Sequence, residues 1–348
     1  MEKHLVKSFF EQGKQLFYAE QYEKAIAMLE KVLEQSKNNK KTNTIFHLLI
    51  TALCNLSNYE TALVYALQNA KLLQVPHFEQ KLIAENNNLI ANCYLGLRKM
   101  KLAQTYYEKS LALFLKIEGE TGQNTIRLYN DLGVCYHHLG KYKKTLQYYQ
   151  KSIAVYENNA FYDNTQLARF HNNTATYYLY IGNYNLSINY SEKALQIWKQ
   201  QTEKDKNFTE IAKLYFNISA AYGKKSDYEQ QYLYLQQARH IFEKKQLSLK
   251  TLLANIYEGM AWYFGKKKDF ENQLLHYEYA RQILISIYNE THLKIAQNYT
   301  KVATAYRNLQ DYEKALSFYK KALTIQTKQL PEKHPNTANT LKNIGLLY

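Results

Sequence analysis

Large apolar, small and polar positions recur along this chain in a fixed order. The stretches LGKYKKTLQYYQKSI (139–153), IGNYNLSINYSEKAL (181–195) and LQDYEKALSFYKKAL (309–323) align without a gap. In each, a tight turn precedes a tyrosine, a small residue follows three positions later, and a small-aliphatic close ends the phrase. The anchor aromatics or their substitutes fall at Tyr22, Tyr59, Met100, Tyr142, Tyr184, Tyr228, Phe270 and Tyr312, spaced by 37, 41, 42, 42, 44, 42 and 42 residues. Nine residues before each anchor stands a small residue: Gly13, Ala91, Gly133, Ala175, Ser219, Ala261 and Ala303, with Ile50 the exception. The pattern predicts two antiparallel helices per unit, A and B. They approach closely where small side chains open the contact, while a large ring fills the groove elsewhere. Helix B repeats the device with Ala25, Ala62, Ala103, Thr145, Ser187 and Ala315 near its start. Three prolines and eleven glycines in 348 residues, with no Ser-, Gly- or Pro-rich linker, leave room only for short turns.

These residues resemble the tetratricopeptide repeat over essentially the whole chain. Leu132, Gly133, Tyr136, Gly140, Tyr142 and Tyr149 fit its signature in the fourth unit, and Ala303, Tyr306, Tyr312, Ala315, Tyr319 and Ala322 in the eighth. The resemblance implies an all-α fold, a right-handed α-solenoid of antiparallel helix pairs. The eight pairs are expected at about 6–39, 43–76, 84–117, 126–159, 168–201, 212–245, 254–287 and 296–329, with a ninth helix A at about 338–348. Gln231 and Gln273 replace the usual alanine, which predicts looser helix packing in units six and seven. The family unit is usually about 34 residues; eight more would lengthen the helices by about 12 Å, shared with the turn. That length, and the phrase EKHPNTANTLKNIGLLY (332–348), look like the subclass found in kinesin light chains and many bacterial sensor and effector proteins. Tyr348 falls at the aromatic site of the ninth helix A. Either that helix is the polar cap that an array needs, or the sequence is the front of a longer protein, which is the expectation taken here.

In this family helices A line the concave wall. With the small residue as position eight, positions two, five, nine and twelve share one helix face. There the third unit offers Glu85, Asn88 and Asn92, the fourth Arg127, Asn130 and His137, the fifth Arg169, Asn172 and Thr176, and the sixth Lys213 and Phe216. Asn88, Asn130 and Asn172 recur at a step of one repeat, as do Arg127 and Arg169. Asn173, at position six, is expected to serve the repeat itself. An asparagine amide offers a donor and an acceptor to a peptide unit without reading its side chain, and arginine adds a planar fork for carboxylates. With packed helices about 8–10 Å apart and an extended peptide advancing about 3.3–3.6 Å per residue, a rung would meet every third residue. The face therefore suits an extended, acidic peptide or protein segment, with Phe216 and Trp262 adding apolar area. The alternative is that the amides bond between adjacent helices A, or only to water. Alanine at both Asn130 and Asn172 separates the two: weaker binding with unchanged melting temperature for the first, lost stability for the second.

Forty-five Lys and Arg against thirty Asp and Glu give a net charge of +15, which favours acidic partners without naming them. A lysine-coated solvated surface explains it as simply, since GKKKD (265–269) is the densest basic cluster. The thirty-four tyrosines are expected to be core and groove fillers. No secretion signal opens the chain and no stretch reaches membrane-spanning length, so a cytoplasmic protein without membrane contact is expected. Cys54, Cys93 and Cys135 lack a C-x-x-C pair and read as reduced thiols, the latter two as core fillers. His137 and His138 point about 100° apart on a helix and cannot grip one metal together. No nucleophile elbow, phosphate loop or dinucleotide fingerprint occurs. A non-catalytic binding scaffold with no cofactor or metal is expected, with homo-oligomers through its terminal repeats an open option. Three rivals remain: a peptide-pheromone receptor like the Rap and PlcR-like regulators, the sensory region of a larger kinase or caspase-like protease, and a single-stranded RNA binder. The first lacks a preceding helix-turn-helix or separate N-terminal bundle here, and the last lacks exposed rings on the concave face.

Overall fold

The computed structural model describes residues 2–35, 40–74, 79–158, 164–201, 207–245, 247–331 and 333–348. Regular structure among them is helical throughout. The helices A are α1 (Glu2–Tyr18), α3 (Lys40–Asn55), α5 (Gln80–Gly96), α7 (Gln123–His138), α9 (Asn164–Tyr180), α11 (Phe208–Lys224), α13 (Lys250–Lys266) and α15 (Leu293–Asn308). Their partners B are α2 (Tyr22–Gln35), α4 (Tyr59–Leu72), α6 (Met100–Glu118), α8 (Tyr142–Glu157), α10 (Tyr184–Gln200), α12 (Tyr228–Lys245), α14 (Phe270–Ile287) and α16 (Tyr312–Gln329). A last helix, α17 (Pro335–Gly345), packs on α16. Every anchor residue of the sequence pattern opens a helix B. From α3 onward, helices A begin about one turn before their expected starts, so the long repeat places much of its surplus there. The expected pair ends at 39, 76 and 159 lie outside the described residues. The helices group into two compact units, Met1–Asn173 and Thr174–Tyr348.

All eight A–B turns share one geometry. The residue two before each anchor is left-handed: Glu20, Ser57, Arg98, Gly140, Gly182, Ser226, Lys268 and Gln310, with φ between 57° and 82°. The following amide then bonds a carbonyl five residues back, as in Lys141 to Tyr136 at 2.9 Å and Asp311 to Tyr306 at 3.0 Å. This is the Schellman closure that satisfies the ending helix. Asn58, Asn183, Asp269 and Asp311 then cap helix B by accepting from the amide three residues on. Only two of the eight left-handed sites are glycine, although a Cβ is disfavoured there. Ser226→Gly and Lys268→Gly are each expected to raise unfolding free energy by about 0.5–1 kcal/mol, measured by urea denaturation.

Between A and B the packing works by exchange of volume. Gly133 lies against Tyr149, where an added Cβ would come within 2.5 Å of the ring. Ala91 faces Tyr107 and Ala303 faces Tyr319 at equivalent positions, and both tyrosines are fully buried. In the second repeat the pair is inverted: Ile50 takes the small site and Ala66 the large one, both 0% exposed. The exception in the sequence pattern is thus half of a complementary pair. The same rule corrects the expectation of looser packing in units six and seven. Gln231 and Gln273 are buried, each against a glycine of helix A, Gly223 or Gly265, which vacates the volume the longer side chain needs.

The tyrosines serve these contacts. Helix A rings stack on helix B rings in Tyr136–Tyr148, Tyr178–Tyr190, Tyr222–Tyr234 and Tyr306–Phe318, with centroids 5.3–5.5 Å apart. Lysines lie over several of them, Lys144 over Tyr136 at 5.1 Å and Lys193 over Tyr190 at 5.3 Å. Much of the tyrosine and lysine excess is therefore one structural device, a groove ring roofed by a cation.

Candidate functional site

The candidate face is carried by α5, α7 and the first ten residues of α9 in the unit that ends at Asn173. Arg127 and Arg169 are exposed on consecutive helices A. One turn further along both helices runs a hydrogen-bonded line. The Asn173 amide donates to Asn130 Oδ1 at 3.0 Å, and the Asn130 amide donates to Asp131 Oδ1 at 3.3 Å. Asn130 is buried, so this rung is tied to its neighbours. Its truncation would leave the Asn173 amide unmatched, an effect on stability that the sequence pattern did not separate from binding. Asn173 does serve the repeat, by linking α9 to α7.

Other candidates are placed individually. Asn92 accepts the Tyr107 hydroxyl at 2.6 Å, so a helix B tyrosine reaches through to this face. Asn88 is half-buried, and its Oδ1 is buried with no hydrogen-bond partner among the described residues. Asn172 is half-buried on α9, one repeat beyond Asn130. His137 is half-buried beside His138, ring centroids 5.8 Å apart; burial, then the His138 charge, holds it below the usual histidine range. No group of three metal-ligating side chains occurs among the described residues.

In the unit that begins at Thr174, Thr176 is exposed. Lys213 pairs with Glu210 on its own helix at 2.7 Å, and Phe216 is half-buried. Trp262 is partly exposed, packed edge-on to Tyr228 at 5.0 Å, with Lys266 4.9 Å from its ring centre. Here too positions five and six of successive repeats are joined: Lys301 bonds Glu258 at 2.6 Å. Asn298 donates to the Tyr277 carbonyl at 3.3 Å, as Asn86 donates to that of Ala66 at 3.1 Å, so position-three asparagines secure the preceding helix B. The run Asn86–Asn88 therefore divides its roles by position.

Sequence reasoning passed over Asp131. It is an acidic residue at position six and sits four residues after Arg127; that pairing was the available signal. Burial pushes its carboxyl up to about 6, against the Asn130 hydrogen bond and the charges of Arg127 and Arg169. The native state holds this proton more tightly than the unfolded chain, so stability contributed by neutral Asp131 is lost as pH rises through about 6. Asp131→Asn is expected to stabilise by about 1–2 kcal/mol above pH 7 and by nothing below about pH 4, read from urea denaturation across pH.

A family model described as "Tetratricopeptide repeat" matches residues 82–158, 253–328 and 294–348. No curated protein sequence matches the chain. Among solved structures, the apo form of RapI aligns with a TM-score of 0.71 at 16% identity, covering 88% of this chain and 81% of that one. A Rap protein complexed with competence and sporulation factor aligns over 99% of this chain and 97% of its own, with a TM-score of 0.59 at 11% identity. A tetratricopeptide repeat protein from Parabacteroides merdae covers 85% of this chain and 98% of its own, TM-score 0.55, 14% identity. At these identities the likeness is one of fold. No described helix is long and apolar enough to cross a membrane.

Proposed function

The chain is a tetratricopeptide-repeat protein, and from that premise we propose that it is a non-catalytic scaffold whose A-helix face holds an extended acidic peptide or protein segment. The observation that carries this reading is the pair of exposed arginines, Arg127 and Arg169, one helical turn before the hydrogen-bonded line Asn173–Asn130–Asp131 and close enough for both charges to act on Asp131. Fixed amides with a guanidinium group one turn away on each of two neighbouring helices suit a chain that offers backbone groups along its length and carboxylates at intervals. Asn88 and Asn172, one repeat to either side of Asn130, supply further amides to the same ligand.

Display of random extended peptides against the full chain tests this directly. Enrichment of sequences with Asp or Glu at about three-residue intervals is expected; enrichment indifferent to charge would reject the acidic ligand. A second reading, a receptor for a short regulatory peptide, is favoured by the end-to-end alignment with the Rap protein complexed with competence and sporulation factor. Peptides of about five to ten residues binding as tightly as longer ones would favour it, since only a few rungs could then be engaged.

A further inference from the structure

The three cysteines are dispersed in sequence, but two of them meet in the fold. Cys54 lies in the last turn of α3 and Cys93 in the last turn of α5, helices A of consecutive repeats in one compact unit. Their sulfurs are 3.8 Å apart. Cys135 stands elsewhere, its thiol donating to the Met100 carbonyl at 3.3 Å. Cys93 is buried in the apolar cluster of the first repeats, while Cys54 is only partly buried at its edge.

The two thiols are unequal. The hydrogen bond from Cys93 draws Cys54 below the ordinary thiol range despite its burial. The same bond, then burial, holds the proton on Cys93. Burial pushes the Cys135 thiol up to about 11. A partly exposed sulfur that holds its proton less tightly, with a second sulfur at contact distance behind it, has the layout of an attacking and a resolving cysteine.

We propose that Cys54 and Cys93 are a peroxide-responsive pair that closes to a disulfide and clips α3 to α5. In the first step the Cys54 thiolate attacks one peroxide oxygen. The O–O bond breaks, hydroxide leaves, and Cys54 becomes a sulfenic acid. In the second, the Cys93 sulfur attacks the sulfenic sulfur, the S–O bond breaks, and the departing hydroxide takes the Cys93 proton as water. Two thiols and one peroxide thus give one disulfide and two waters, with the peroxide accepting both electrons.

Closure must bring the sulfurs from 3.8 Å to a bond length of about 2.05 Å. Both residues sit next to helix ends, where the terminal turn can move without unwinding the rod. Cys54 precedes only Asn55 in α3, and its carbonyl already belongs to the A–B turn through the Ser57 amide at 3.0 Å. The clip would fix α5, which carries Asn88 and Asn92, relative to the preceding repeat.

The test uses the full chain exposed to hydrogen peroxide, followed by maleimide blocking, proteolysis and mass spectrometry. The expected product is a linked Cys54–Cys93 peptide, lacking two hydrogens and cleaved by dithiothreitol, with Cys135 still blocked by maleimide. Cys54 should react about tenfold or more faster than Cys135. In Cys93→Ser the reaction should stop at a Cys54 sulfenic acid that dimedone captures. In Cys135→Ser the link should form at the wild-type rate. Equal maleimide labelling of Cys54 before and after peroxide, a link through Cys135, or a link only between molecules would each overturn the proposal.

Discussion

Exchanging the large and small partners of the fourth repeat, by Gly133→Ile together with Tyr149→Ala, should restore much of the stability that either change alone removes. Glycine is a poor helix residue, so a side chain at position 133 would ordinarily help by about 0.5–1 kcal/mol. Here the sign reverses, because the first added carbon already lies 2.5 Å from the Tyr149 ring. Overpacking of this kind costs about 1–3 kcal/mol for modest additions, and isoleucine adds three carbons beyond that first one. Tyr149→Ala alone empties a buried ring site, at about 3–5 kcal/mol by analogy with other aromatic truncations. The second repeat already lives with the inverted arrangement, Ile50 against Ala66. A coupling of about 2–3 kcal/mol between the two changes is therefore expected from urea denaturation of the four proteins. Strictly additive losses would mean that the two sites do not share one volume.

Removing both guanidinium groups, Arg127→Ala with Arg169→Ala, should weaken an acidic peptide about a hundredfold or more, and should leave the melting temperature unchanged when it is read below about pH 4, where Asp131 is neutral and draws nothing from either charge. A hydrogen bond to a charged group is worth about 1.5–3 kcal/mol, and about 1.4 kcal/mol corresponds to a tenfold change in affinity. Both side chains are exposed, so their truncation opens no cavity. Asn173→Ala is the contrasting variant. It deletes the donor to buried Asn130 and should lower stability by about 1–3 kcal/mol before any ligand is added. Binding by the double arginine variant at wild-type strength, measured by fluorescence anisotropy, would remove the electrostatic basis of the proposed function.

The helix-pair repeat was readable because its cause is steric and periodic. A small side chain opposite each large one is required where helices A and B cross, and that requirement prints itself every 42 residues or so. What escaped were features written across the gap between helices. Ile50 looked like a defect until Ala66 was seen opposite, and Gln231 looked like loose packing until Gly223 was. Asn88 and Asn130 are equivalent along the chain yet differ in partners: Asn130 accepts from Asn173, at position six of the next repeat, while the Asn88 Oδ1 is buried with no hydrogen-bond partner among the described residues. Cys54 and Cys93 occupy different positions of their repeats, so no period aligns them; only the lateral contact of α3 with α5 does.

The ties between position five of one repeat and position six of the next, Asn130 with Asn173 and Glu258 with Lys301, make these two lateral joints two-position locks. A single substitution that improves a contact with some new ligand also strands the residue that was holding the old side chain in place. Adaptation on this face is therefore steered toward compensated double changes. Diversification among descendants of such an array should leave a signature of correlated replacement about 43 positions apart, the interval that separates both bonded pairs.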